Sequence, residues 1–220
     1  MRPILTTTNA SHTTEGSSPI KGCMNRKESA AKRIFDFCLA ATCLITFSPL
    51  IAICYCLIKK EDGGNVIFKQ ERIGFHGRPF YIYKFRSMRE GAEENGPQLY
   101  NEKTEPKLTK TGKFMRDHHI DELPQLWNVL VGDMSFIGPR PERKYYIDLI
   151  MKRDARYQWL YQIRPGVTSY ATLHNGYCDS IDKMLVRLKY DLYYLEHRSW
   201  RLDIQILAYT FIYIISGKKF

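Results

Sequence analysis

Two adjacent carboxylates, Asp121 and Glu122, stand just ahead of Pro124 in the stretch HHIDELPQLWNVL. Leu123, Leu126 and Leu130, with Trp127 between them, carry helical spacing and predict a helix from Glu122 to Leu130. Asp121 then acts as its N-cap, and Pro124 falls in the first turn, where a missing N–H costs little. Acids at the positive end of a helix stay ionised, as a carboxylate must be to attack phosphorus or to hold a metal. The same location offers free N–H groups to a phosphate. Plain capping accounts for such acids equally well.

Cations flank this pair on both sides. Alternation along FYIYKFRSM puts Tyr81, Tyr83 and Phe85 on one strand face and Lys84 and Arg86 on the other. Two cations so spaced make a phosphate grip, against the plainer alternative of a solvated strand face. Arg140 sits between Pro139 and Pro141, so its backbone is fixed and its guanidinium loses little freedom on binding. A structural Arg in a tight turn is the alternative there. Arg116, upstream of the acids, and Arg164, before a Pro-Gly turn, complete the candidate substrate-binding cations. His118 and His119 are neighbours in sequence and so do not share a ligand face; they are expected at the surface or behind the reacting groups.

These groups need an anchor and a scaffold. Residues 1–25 are rich in Ser and Thr and predict a flexible tail. From Ile34 to Ile58 the chain is apolar with one charge, Asp36, and the length of about 37 Å as a straight helix would cross a bilayer. A single spanning helix is the plain expectation. Ser48-Pro49 near the middle argues otherwise, because Pro49 cannot donate to the Ile45 carbonyl and Ser48 is pushed from helical angles. Basic residues mark both ends (Lys27, Lys32 and Arg33; Lys59 and Lys60), which suits two ends on the cytoplasmic face better than a crossing. Downstream, VIFKQERI and FYIYKFRSM predict a hairpin around residues 74–79, and residues 89–112 read as loop. Further helices are expected from Glu142 to about Tyr161, from Ile181 to about Glu196, and from Asp203 to Ile215. The last is too short to span and should pack in a core or lie at an interface.

The net charge of +10 calls for an anionic partner: nucleic acid, an anionic membrane face or a phosphorylated substrate. One long apolar run excludes a polytopic bundle. Of the six cysteines, Cys38, Cys43, Cys54 and Cys56 lie in that run, no CxxC pair exists, and all are read as reduced small apolar residues rather than zinc ligands. A signal peptide is not indicated, because the apolar run starts too late and lacks a cleavage site.

Taken together, KRIFDFCLA…SPL, QERIGFHGRPFYIYKFRSM, DELPQLWNVLVGDMSFIGPRPE and RPGVTSYATL resemble the bacterial sugar transferases of the monotopic phosphoglycosyl transferase superfamily, in its minimal form. The resemblance runs from about residue 30 to the C-terminus. It implies a predominantly helical α+β fold: a re-entrant helix–break–helix over residues 26–60 hinged at Ser48 and Pro49, then a cytoplasmic domain over residues 61–220 with a β-hairpin and amphipathic interfacial helices. It implies Asp121 as nucleophile, Glu122 as its acidic partner, and Mg²⁺ held at Asp121. Lys84, Arg86, Arg116, Arg140 and Arg164 become substrate-binding residues, and Lys32 and Arg33 candidates for the polyprenol phosphate. One motif departs from the family pattern RPGxTGxAQxxGR: Ser169 replaces the second Gly, Thr172 the Gln and Tyr177 the Arg.

The expected activity is transfer of a sugar phosphate from a UDP-sugar to polyprenol (undecaprenyl) phosphate, starting a surface glycan on the cytoplasmic face of the bacterial inner membrane. The expected partners are the donor, the acceptor and membrane lipid; nucleic acid is not among them, and a homo-oligomer is left open. The alternative is a membrane-tethered basic adaptor for nucleic acid or anionic lipid, without enzymatic activity.

Overall fold

The computed structural model of the chain describes residues 26–89, 108–176 and 178–216. The expected tail over residues 1–25 and most of the expected loop over residues 89–112 lie outside the described residues. Helix α1, Arg26–Asp62, is 37 residues long. Strands β1, Ile67–Ile73, and β2, Pro79–Phe85, form the expected antiparallel hairpin, with Ile67 opposite Phe85 and Ile73 opposite Pro79. Then come α2, Lys110–Asp117, α3, Gln125–Val131, and the short β3, Ser135–Ile137. Helix α4, Lys144–Met151, leads to β4, Gly166–Thr168, which pairs with β3 in parallel. Three helices close the described chain: α5, Tyr170–Asn175, α6, Ile181–His197, and α7, Trp200–Ile215.

Two expected helices differ. The one foreseen from Glu142 to Tyr161 is divided, because Lys152–Asp154 turn the chain and the Asp154 carboxylate caps Arg156 N–H, starting a separate 3₁₀ segment at Ala155–Gln162. Helix α7 starts earlier than Asp203, because Ser199 Oγ accepts from Leu202 N–H at 3.3 Å and supplies the N-cap.

Helix α1 leaves most of its apolar surface bare. Only 11% of its most apolar stretch is buried, and Ile34, Phe37, Ile45, Phe47, Ile53 and Leu57 are exposed. The helix continues through Ser48 and Pro49 rather than opening into a loop, so the expected break is not a separate turn. The Ile45 carbonyl that Pro49 cannot serve instead accepts from Ser48 Oγ at 2.8 Å.

Both ends of α1 are fastened to the same globular body. Near the start, Ala40 enters the main core with Leu126, Val129, Phe136, Tyr194 and Ile206. Lys32 makes a buried ion pair with Asp203 of α7 at 2.6 Å, and Tyr194 Oη donates to the other oxygen of that carboxylate at 2.6 Å. Arg33 donates to the Val129 and Leu130 carbonyls at the end of α3, both at 2.6 Å, where free carbonyls favour a cation. At the far end, Cys54 and Ile58 pack with Val66, Phe85 and Met115. There the Glu61 carboxylate accepts from Lys110 N–H at 2.8 Å, at the start of α2.

Candidate active site

The acid pair is placed by the elements on either side of it, α2 and α3. It lies not at the cap of α3 but in a 3₁₀ turn, Ile120–Glu122, joined to α3 through Leu123 and Pro124. The expected N-cap role of Asp121 is therefore corrected: Pro124 occupies the position before α3. The preceding residue, His119, adopts the left-handed conformation at φ 56°, a costly arrangement for a residue with a Cβ and one that gathers at functional sites. It turns the chain so that α2 and the acids face one cavity. Gly112 matters to that approach. A Cβ there would lie 2.2 Å from the Ser87 carbonyl oxygen, so only glycine lets α2 dock on the segment following β2.

On the other side, α3 is strapped to β2 by Asn128, which is fully buried. Its Oδ1 accepts from Tyr83 N–H at 3.0 Å and its Nδ2 donates to the Tyr81 carbonyl at 2.7 Å. These two bonds fix the acids relative to the strand that carries Lys84. Asn128 escaped the sequence reading, because it falls on the side away from the Leu123, Leu126 and Leu130 stripe and no pattern in the sequence marks it for burial.

A cavity of about 1170 Å³ opens over this junction. Lys84, Arg86, Arg116, Arg140, Asp121 and Glu122 all line it, so six of the foreseen site residues come together. Lys84 Nζ donates to Glu122 Oε1 at 2.5 Å, and the Arg140 guanidinium stands 3.6 Å from the same oxygen. The strand-face grouping is refined as well: Phe85 is buried while Tyr81 is exposed, so the face opposite Lys84 is not uniformly apolar core.

The two carboxylates are treated unequally. Burial pushes Glu122 up, but the Lys84 ammonium and the Arg140 guanidinium outweigh burial and hold it well below the usual range. Asp121 is 6% exposed, and burial pushes it up to about 6, with the Glu122 charge adding to the rise and Lys84, Arg116 and Arg140 opposing it. Glu122 is a fixed counterion. Asp121 is the carboxylate whose charge is held in tension.

The remaining foreseen residues are elsewhere. Arg164 donates to the Gly132 carbonyl at 2.8 Å and lies 4.9 Å over the Phe75 ring. Lys32 and Arg33 are engaged with Asp203 and the end of α3, as described, and share a small cavity of about 70 Å³ with Arg164. Their contacts are structural and none of the three lines the cavity of the acids. Arg164 is a candidate by its place before a Pro-Gly turn in the stretch RPGVTSYATL. Its backbone packs against Gly138, where a Cβ would come 2.2 Å from the Arg164 carbonyl oxygen.

The family model for the bacterial sugar transferase matches residues 27–217. The chain belongs to the bacterial sugar transferase family. Among curated relatives, an Aeromonas hydrophila protein named UDP-N-acetylgalactosamine-undecaprenyl-phosphate N-acetylgalactosaminephosphotransferase is 39% identical over 84% of this chain and 44% of its own length. The sugar transferase EpsL of Bacillus subtilis (strain 168), described as uncharacterized, is 38% identical over 81% of this chain and 84% of its own. A UDP-glucose:undecaprenyl-phosphate glucose-1-phosphate transferase of Escherichia coli (strain K12) is 35% identical over 81% of this chain and 39% of its own. The chain thus spans less than half the length of the Aeromonas and Escherichia relatives.

For this bacterial sugar transferase the raised Asp121 carboxyl has a measurable consequence. Its protonated form is favoured by the fold, so its contribution to stability is complete below the ordinary value of 3.8 and is lost as pH climbs through about 6. Asp121→Asn should therefore raise Tm at pH 8 by roughly 3–8 °C, and the gain should fade toward pH 4. Thermal unfolding in detergent, without metal or donor, reads this directly; a variant less stable than the parent at pH 8 would contradict it.

Proposed function

We propose that this chain transfers a sugar phosphate from a UDP-sugar to polyprenol phosphate, through a covalent ester on Asp121. The observation that supports it is one buried, electrostatically strained carboxylate beside a carboxylate locked by Lys84 and Arg140, inside a cavity ringed by cations. In the first step an Asp121 oxygen attacks the sugar-bearing phosphorus, and the bond to the bridging oxygen breaks with its electron pair leaving on UMP. In the second, an oxygen of polyprenol phosphate attacks the same phosphorus and the Asp121 carboxylate departs. Neither step needs a proton when the acceptor phosphate is fully ionised. The names of the relatives support undecaprenyl phosphate as acceptor and a UDP-sugar as donor.

Lys84, Arg86, Arg116 and Arg140 offset the charge that gathers on the phosphate oxygens, and they do so from fixed positions. Glu122 keeps Lys84 and Arg140 aligned while adding the repulsion that favours transfer of Asp121's charge to phosphorus. The residues also fit Mg²⁺. Among the described residues no hydrogen bond serves the Asp121 carboxylate, and no group of three ligating side chains surrounds it. Asp121 would be the residue that holds the ion, together with the donor's diphosphate, since this small hard cation is usually bound through one or two carboxylates plus substrate phosphates. When bound, the ion withdraws charge from the phosphoryl oxygens.

The anchor is proposed to be re-entrant, at a bacterial cytoplasmic membrane, with the site on the cytoplasmic face. Support comes from the two ends of α1, which are both fastened to one globular body, Lys32 and Arg33 at one end and Glu61 at the other. Ends that meet the same domain support both lying on one side of the bilayer. The exposed Phe211, Ile212 and Ile215 of α7 add an interfacial element close to that anchor. A tethered basic adaptor would leave the convergence of cations on buried acids without a use.

A panel of UDP-sugars should reveal one donor whose UMP is released only with Mg²⁺ present, and Asp121→Asn should slow that release on the order of 10³-fold or more. Robust release by that variant, free of deamidation, would remove Asp121 from the chemistry. Topology is read separately, with single cysteines at Lys27→Cys and Lys60→Cys in a cysteine-free background. Both should resist an impermeant thiol reagent outside intact cells and react after permeabilisation; labelling of either end from outside contradicts re-entry.

A further inference from the structure

The segment that presents Arg140 is fixed at the residues on both sides of it. Gly138 N–H donates to the Thr168 carbonyl at 3.1 Å, and the Pro139 carbonyl accepts from Gly166 N–H at 3.0 Å. The Pro141 carbonyl accepts from Arg72 of β1 at 3.1 Å. Ile73 N–H donates to the Glu142 carbonyl at 3.1 Å. The last anchor is a side-chain pair: Arg187 of α6 donates to Glu142 Oε1 at 2.5 Å, and Arg72 lies 3.6 Å from Oε2.

This pair is buried, with Glu142 5% and Arg187 8% exposed. A buried ion pair is a weak source of net stability, because desolvation offsets most of the attraction. Specifying one geometry is the better-attested use of such a pair. Helix α6 is held by an apolar cluster, Met184, Leu188 and Leu192 against Ile147 and Ile150 of α4, and by polar bonds at its two ends, Asp182 with Arg153 and Tyr194 with Asp203. Arg187, between those ends, is the α6 residue that bonds to the turn carrying Arg140. Glu142 is the carboxylate that Arg187 bonds; Asp191, one turn along α6, has an oxygen with no hydrogen-bond partner, and burial raises it to about 7 against the pull of Arg187. Burial also raises Tyr157 and Cys178, which face the same pair.

We infer that the Glu142–Arg187 ion pair positions Arg140, holding the Pro139–Glu142 turn so that the Arg140 guanidinium faces Glu122 and the donor's diphosphate. Both members act through Arg140 as positioning residues, and α6 becomes part of the diphosphate site although the acids lie on other elements. This rests on the diphosphate-binding role proposed for Arg140.

The test is a double-mutant cycle on the full chain in detergent, with inorganic pyrophosphate and Mg²⁺ as the titrated probe. Arg140→Ala should weaken pyrophosphate binding about 10-fold or more, and Arg187→Gln about 5-fold. The double variant should bind within about 2-fold of Arg140→Ala alone, because Arg187 has nothing left to position. Arg187→Lys, which keeps the charge, should recover most of the affinity. Should Arg187→Gln not fold, Glu142→Gln runs the same cycle. Multiplying penalties, or no loss in Arg187→Gln, overturns the inference, and so does a parent protein that fails to bind pyrophosphate. UMP release is measured in parallel on the parent protein. Release without coupling defeats the positioning role alone, whereas coupling without release with any UDP-sugar defeats the transferase proposal alone.

Discussion

Keeping a carboxylate buried and still chargeable is the constraint around which this molecule is arranged. Asp121 lies in a place that penalises its charge, and its neighbour Glu122 penalises it further. Cations alone could relieve both, but then both acids would be pinned. Instead Lys84 and Arg140 meet at one Glu122 oxygen, and Asp121 is left with their field but not their hydrogen bonds. Two adjacent residues of the same chemical type thus acquire different characters from geometry. Each supporting element can be traced to that need: the left-handed His119 that turns the acids inward, Gly112 that lets α2 approach, and Asn128 that locks α3 to β2.

The second constraint is where this site must stand. Helix α1 exposes apolar side chains along most of its length, yet both of its ends are tied into the globular body by charged residues. The Lys32–Asp203 pair joins α1 to α7, so the two elements with the most exposed apolar surface are coupled through a buried salt bridge. Removing one partner would strand the other charge, a loss of about 3–5 kcal/mol for buried pairs. A site built this way is held in a fixed position relative to the apolar surface of α1.

Much of this was legible in residue types. The hairpin was evident from two β-rich runs around a Gly/Pro connection, and the long apolar helix, α6 and the gathering of Lys84, Arg86, Arg116 and Arg140 with the acids around one cavity followed from pattern and resemblance. The Ser48 hydroxyl answering the carbonyl freed by Pro49 was also foreseeable, because the proline leaves a specific acceptor nearby. What failed has physical causes. Asp121 looked like an N-cap because capping residues and turn residues share the same chemistry, and only the left-handed His119 distinguishes them. The partners that Arg164, Lys32 and Arg33 take in the fold, the Gly132 carbonyl, the Asp203 carboxylate and the Val129 and Leu130 carbonyls, were not legible either, because they become neighbours only after folding. The clamp on the Arg140 turn was invisible for the same reason, since Glu142 and Arg187 are far apart in the chain.

The central claim is that inequality between neighbouring acids makes one of them, and not the other, the attacking group. Its most direct measurement is peptide mass spectrometry on protein quenched after incubation with its UDP-sugar and Mg²⁺ but no acceptor lipid. The account predicts a phosphosugar mass on the peptide bearing Asp121, fragmenting to that residue, and its discharge when polyprenol phosphate is added. An adduct on Glu122, or UMP formed at full rate with no adduct at any time, would contradict it.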